Sequence, residues 1–359
     1  MSTAVPVPPI PRARRNHLLD LLRIIFAVAV IVAHAPEIID GNRSRELFGR
    51  LTHSGLSLGD VAVDGFFLLS GYLIVGSWLT DPKLSNFLRK RLLRIVPGYL
   101  VAALLSTLAI GLLAPGVPHF FAHLNLRFLL SLLKLDVPHT PPVLPGQPFA
   151  SVNTPLWTIA YEFRCYLLVA LLGSLSLLRR PAVWLALTLA FLSLQCVPSF
   201  TAAHPWRPLL ALAGDPSRDL RLASAFFVGG CFLLFRDHIP FRPALALGAA
   251  IALILVELFL RQHLQPALML FGGYLLFYLA ALPLRSLDWM QHVPDISYGV
   301  YLYGWPVECL WIWYVHGSPW VAALVSAVLC FAIGWLSWHF VERPMLRLKR
   351  RPSAPLPPA

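Results

Sequence analysis

The chain has 359 residues, 57% of them hydrophobic and only 13% charged, with a mean hydropathy of +0.68. These values exclude an ordinary soluble domain and indicate a polytopic membrane protein. The formal net charge of +12 would suit a nucleic-acid partner, but its placement along the chain argues otherwise.

Residues 1–17, "MSTAVPVPPIPRARRNH", form a Pro-rich, basic arm. The apolar run that follows is long enough to remain as a span, so no removable signal peptide is expected. A span needs about 17–25 apolar residues. On that length the chain divides into about ten candidate helices, roughly 18–36, 58–79, 92–113, 154–178, 182–198, 219–235, 243–260, 266–284, 293–315 and 319–340. Two connections are longer. Residues 37–57 carry several charges, and 114–153 contain "LNLRFLLSLLKL", a short apolar piece suited to the membrane interface. No internal repeat is visible. The expected organisation is a basic arm (1–17), an all-α membrane bundle (18–342) and a basic, Pro-rich disordered tail (343–359). The five cysteines sit mostly in apolar runs without ligand-like spacing and read as packing residues; no metal site is indicated.

Orientation follows from Lys and Arg. With the N-terminus inside, inner segments hold 18 of the 29 and outer segments 9, Arg23 and Arg164 lying within spans. This bias predicts both termini on the cytoplasmic side and makes the net charge a topology signal.

The polar residues then acquire depths. In "LLRIIFAVAVIVAHAP" (residues 21–36), Arg23 and His34 are eleven positions apart. Eleven steps of about 100° end about 20° past three full turns, so both lie on one face, about 16 Å apart along the axis. The plain alternative is that Arg23 snorkels and His34 caps the far end. Two ionisable groups on one face favour a polar interior. Asp64, in "GDVAVDGFFLLSGYLIVGSW", and Glu162, in "NTPLWTIAYEFRCYLL", fall in the outer halves of inward-running helices. His34, Asp64 and Glu162 are therefore expected to share an outer chamber. On the inner side, "FLRKRLLRIVPGYL" puts Arg91 and Arg94 on one face at i,i+3. A basic cytoplasmic helix start also explains them, so anion binding and topology both stay open. A cationic inner mouth below a histidine–carboxylate chamber suits a transmembrane group-transfer enzyme or a transporter. The missing repeat weighs toward the enzyme.

At these residues the chain resembles the acyltransferase-3 family of integral membrane acyltransferases, which O-acetylate bacterial surface glycans. "LLDLLRIIFAVAVIVAH" resembles the first-helix pattern, with Asp20 at its acidic position. "DGFFLLSGYLI" resembles the second-helix signature, and "RKRLLRIVPGY" the basic Arg-x-x-Arg segment. "NTPLWTIAYEFRCYL" is similar to a stretch running from a Trp (Trp157) to Glu162. "ISYGVYLYGWPV" and "FVERP" resemble the closing motifs, covering Ser297, Tyr298 and Glu342. Gly304 stands where many members carry histidine, so no role transfers there. Many members carry an appended esterase-like domain; this chain is expected to be the stand-alone, exopolysaccharide-type form.

The resemblance implies a multi-pass protein of the bacterial inner membrane, with acyl-CoA, foremost acetyl-CoA, as a cytoplasmic donor substrate and no permanently bound cofactor. The acceptor would be a glycan hydroxyl, free or lipid-linked; membrane lipids are the other partner, and nucleic acid is none. Arg23, Arg91 and Arg94 would hold the CoA phosphates. His34 would serve as general base, with Glu162 or Asp64 orienting it, or as an acyl-accepting nucleophile. The alternative function is a flippase for a glycan or acyl-group carrier.

Overall fold

The computed structural model describes residues 17–52, 55–113, 117–144, 148–149, 151–197, 215–282, 287, 289–290 and 293–349. The arm before His17 and the tail after Lys349 lie outside the described residues, as does the stretch 198–214.

Every regular element among the described residues is helical. Six helices are long and apolar enough to cross a membrane: α1 (His17–Asp40), α2 (Leu58–Thr80), α3 (Leu84–Leu113), α4 (Thr154–Ser174, opening with a 3-10 turn), α8 (Arg261–Ala281) and α10 (Pro319–Arg347). Four more lie where spans were expected: α5 (Pro181–Gln195), α6 (Pro216–Leu234), α7 (Pro243–Phe259) and α9 (Ser297–Val315). Alpha5 and α7 are apolar but shorter than a full crossing. The interfacial piece expected in the 114–153 loop is a short helix, Leu126–Leu133, capped by Asn125.

Local chemistry sets the helix ends. Ser57 and Asp60 close a reciprocal capping box at the start of α2, satisfying two otherwise orphaned N–H groups. Proline opens α5, α6, α7 and α10, where its missing N–H costs nothing. Alpha3 begins two turns before the expected residue 92, because its basic first turns are anchored outside the apolar run. There the Lys90 ammonium donates to Asp81 at 2.6 Å, and the Arg89 guanidinium to the Leu348 carbonyl.

Alpha1 packs on α2, α9 and α10. Alpha2 packs in turn on α6 and α4, and α3 bridges α4 and α9. The tightest crossing joins α2 and α6. A Cβ built on Gly71 would lie 1.8 Å from the Phe226 carbonyl oxygen, and one on Gly229 would lie 1.9 Å from that of Leu68. Lipid gives helices no hydrophobic reason to associate, so close backbone approach through small residues takes its place. Gly71→Ala must force the two backbones apart, at about 1–3 kcal/mol for an overpacked contact. The expected result is a clear drop in the melting temperature of detergent-solubilised protein. Gly248→Ala, where a Cβ meets nothing within 4 Å, is the control that should melt like the parent.

Candidate active site

Two polar clusters lie toward opposite ends of the bundle. The first surrounds a cavity of about 180 Å³ between α1, α2, α3, α4 and α9. Arg23, Arg91 and Arg94 line it together with Glu162 and Lys349. Arg23 and Arg94 both donate to Asp295 Oδ2, at 2.7 and 2.6 Å. Arg94 also donates to Glu342 at 3.1 Å, and Ser297 donates to the other oxygen of Asp295 at 2.6 Å. Glu342 is presented by a π-helical turn, Trp338–Glu342, inside α10; such single turns re-aim one residue without ending the helix. The three arginines differ sharply in their partners. Among the described residues Arg91 donates only to the Ser77 hydroxyl, at 3.3 Å, and its buried Nε has no partner; its guanidinium lies 5.9 Å from the centres of the Phe87 and Tyr166 rings.

Thr158, Glu162 and Tyr166, four residues apart on one face of α4, point into this cavity. Glu162 Oε1 accepts from the Tyr166 hydroxyl at 2.6 Å and from Ser70 at 3.1 Å. This corrects the expected outer chamber, because Glu162 opens onto the arginine cavity and not toward His34. Depth had been counted along α4, but the face decides what a side chain meets.

The second cluster is a chain of alternating charges. His34 Nδ1 stands 3.3 Å from Glu37 Oε2, one turn along α1. Arg43 joins Glu37, at 3.3 Å, to Asp60, at 2.8 Å. Arg221 of α6 donates to Asp60 Oδ1 at 2.7 Å, to the Asp60 carbonyl at 2.7 Å and to Asp64 at 2.9 Å. Against the cost of burial, the carboxylates of Asp60 and Glu37 hold Arg43 above the ordinary guanidinium value. Asp64 is thus taken by Arg221, and the carboxylate at the imidazole is Glu37, a second correction. Glu37 was within reach of sequence reasoning, since i,i+3 neighbours meet on a helix; Arg221 and Asp295, from distant segments, gave no such signal.

His34 packs edge-on against Trp305, with ring centres 5.0 Å apart. It does not line the arginine cavity. Along α1 the face between Arg23 and His34 carries Ala27, Val30 and Ile31, all buried, so the stripe joining the two clusters is packed solid. Thr158 and Tyr301, whose hydroxyls meet at 2.6 Å, are part of the cavity wall. Tyr301 lies one turn from Trp305 on α9, about 6 Å along the axis. A proton on Nδ1, toward Glu37, would leave Nε2 of His34 as the nitrogen with a free lone pair. The arrangement therefore places a cluster of arginines at one end and a histidine paired with a carboxylate at the other. Arg164, two residues after Glu162 on α4, pairs with Asp219 at 2.8 Å.

Comparison with known proteins bears on what such a site does. The chain is 25% identical to an O-acetyl transferase of Shigella phage Sf6, across 92% of this chain and 96% of that one. It is 26% identical to nodulation protein 10 of Rhizobium leguminosarum bv. viciae, across 93% and 94%. It is 24% identical to the peptidoglycan O-acetyltransferase OatA of Listeria monocytogenes, across 91% of this chain and 55% of OatA. No solved structure matches. The sequence profile described as "Acyltransferase domain" matches residues 16–339, which takes in both clusters except Glu342 and Lys349, and the chain belongs to that acyltransferase-3 family.

Proposed function

We propose that the protein is a multi-pass O-acyltransferase of the bacterial inner membrane that moves an acetyl group from cytoplasmic acetyl-CoA to a glycan hydroxyl at the opposite face. The observation that carries this reading is the cavity, in which a half-buried Arg91, its buried Nε without a partner among the described residues, stands beside a hydrogen-bonded carboxylate. The glycan acceptor is supported by the relatives, two of which are named O-acetyl transferases. In the reaction, His34 Nε2 removes the hydroxyl proton and the oxygen attacks the thioester carbonyl. The C–S bond breaks, and the departing thiolate takes up a proton to leave as free CoA. Because neither His34 nor Trp305 lines the cavity, the transfer requires the two clusters to join, and the Thr158–Tyr301 contact, one helical turn from Trp305, is the place for that opening.

Mass spectrometry of the surface glycan, with and without the protein, tests the function. Loss of acetyl mass supports the enzyme; unchanged acetylation with intermediates stranded inside supports the flippase. The donor assignment has its own test. Lysine keeps the charge of arginine but lacks its planar fork, and one charge-assisted hydrogen bond contributes about 1.5–3 kcal/mol. Arg91→Lys is therefore expected to weaken acetyl-CoA binding about ten- to a hundredfold, read by titration of purified protein. Unchanged affinity would return Arg91 to a purely topological role.

A further inference from the structure

The cations of the cavity are not equivalent. Arg23 and Arg94 share Asp295, and Arg94 also holds Glu342, so their charges are largely neutralised inside the protein. Lys90 is paired with Asp81. Lys349 is different. It follows the last turn of α10, where the Leu348 carbonyl accepts from the Arg89 guanidinium, and it lines the cavity opposite Glu162. Among the described residues no carboxylate pairs with it, and its charged neighbours on α3 are all cations: Arg91, Arg94 and Lys90. Across the cavity stand Arg23 of α1, Glu162 and Tyr166 of α4, and Tyr298 and Tyr301 of α9. Glu162 is engaged by Ser70 and Tyr166.

A half-buried ammonium held among guanidinium groups without a counter-ion is unfavourable unless an anion arrives to complete the site. We propose that Lys349 and Arg91 form a phosphate-binding pair at the mouth of the cavity, with Lys349, brought in by the end of α10, closing on a phosphate that Arg91 holds from α3. The proposal rests on the acyl-CoA reading only for the identity of the phosphate carrier. It also revises the expected grip, since Arg94 and Arg23 build the wall and the two less compensated cations take the ligand.

A titration signature accompanies the geometry. Burial, with the charges of Arg91, Arg94 and Lys90, pulls Lys349 down to about 7. Above that pH the empty site holds neutral lysine, and phosphate must bind together with a proton. Affinity should then fall by up to about tenfold for each pH unit above 7. Arginine at this position stays charged throughout and removes the effect.

The test titrates the full chain in detergent with CoA and, separately, with inorganic pyrophosphate, at pH 6.5 and 8.5. The proteins are the parent, Lys349→Gln and Lys349→Arg. The ligand's own titration is common to all three, so their ratios isolate the lysine. Between the two pH values the parent should lose about twentyfold in affinity relative to Lys349→Arg. Lys349→Gln should bind pyrophosphate at least about tenfold more weakly than the parent at pH 6.5. Equal pyrophosphate affinity in Lys349→Gln and the parent, or parallel pH dependence in the parent and Lys349→Arg, overturns the proposal. If CoA binds but ignores Lys349, the phosphate pair is wrong and the donor reading stands. If pyrophosphate binding depends on Lys349 while CoA does not bind, the pair stands and the donor reading fails. If neither ligand binds, both are overturned.

Discussion

His34→Ala is expected to lower acyl transfer by about 10²–10⁴-fold, the usual contribution of a positioned general base. Donor binding should be nearly unaffected, because His34 lies outside the cavity lining. The fold should also hold, since the lost contacts are one edge-on ring pair with Trp305 and one hydrogen bond to Glu37. The measurement is glycan acylation alongside CoA titration and a thermal melt on the same preparation. Near-parental acylation would remove His34 from the mechanism. A base and a nucleophile are told apart by incubating the protein with acetyl-CoA and no acceptor, because only a nucleophile leaves an acetyl adduct on the chain. Glu37→Gln should reproduce part of the loss, because the amide no longer stabilises the imidazolium that forms when Nε2 accepts a proton.

The largest effect on stability is expected at Arg221. Its guanidinium neutralises Asp60 and Asp64 together, and Asp64 is 4% exposed. Removing one partner of a buried pair leaves an uncompensated charge and costs about 3–5 kcal/mol; here Asp64 is stranded, while Asp60 keeps Arg43. Arg221→Gln should therefore melt far below the parent. Adding Asp64→Asn to that variant removes one stranded charge and should recover part of the loss. A melting temperature equal to the parent's would show that water reaches this cluster freely. Asp64, a candidate partner for His34 by sequence, bonds Arg221 instead and ties α2 to α6.

Periodicity and hydropathy carried much of this architecture. Helices occupy the expected segments because apolar length is a local property, readable in a window of the chain. The start of α3 was missed by two turns for the converse reason, because its first turns are basic and are held by Asp81 and the Leu348 carbonyl. The arginine cavity was legible as a basic segment. What the arginines touch was not. Arg23 and Asp295 are 272 positions apart, and Arg94 and Glu342 are 248 apart; no local pattern pairs such residues. Glu162 shows the limit of depth alone, as its rotation about α4 sends it to Ser70 and Tyr166. Lys349 looked like an ordinary member of a basic tail, and only its return to the cavity distinguishes it.

Those long separations also bear on biosynthesis. Arg23 is among the first residues to enter the membrane, and its carboxylate partner Asp295 is made 272 residues later. At about 5–20 residues per second the wait is on the order of tens of seconds. Arg94 waits almost as long for Glu342. Until Asp295 is made, both guanidinium groups lack the carboxylate they share and must remain near the headgroups. The arginine end of the site can therefore close only when the last helix docks. A ribosome that stalls before residue 295 leaves a bundle whose early helices are inserted but whose Arg23 and Arg94 still lack the carboxylate they share.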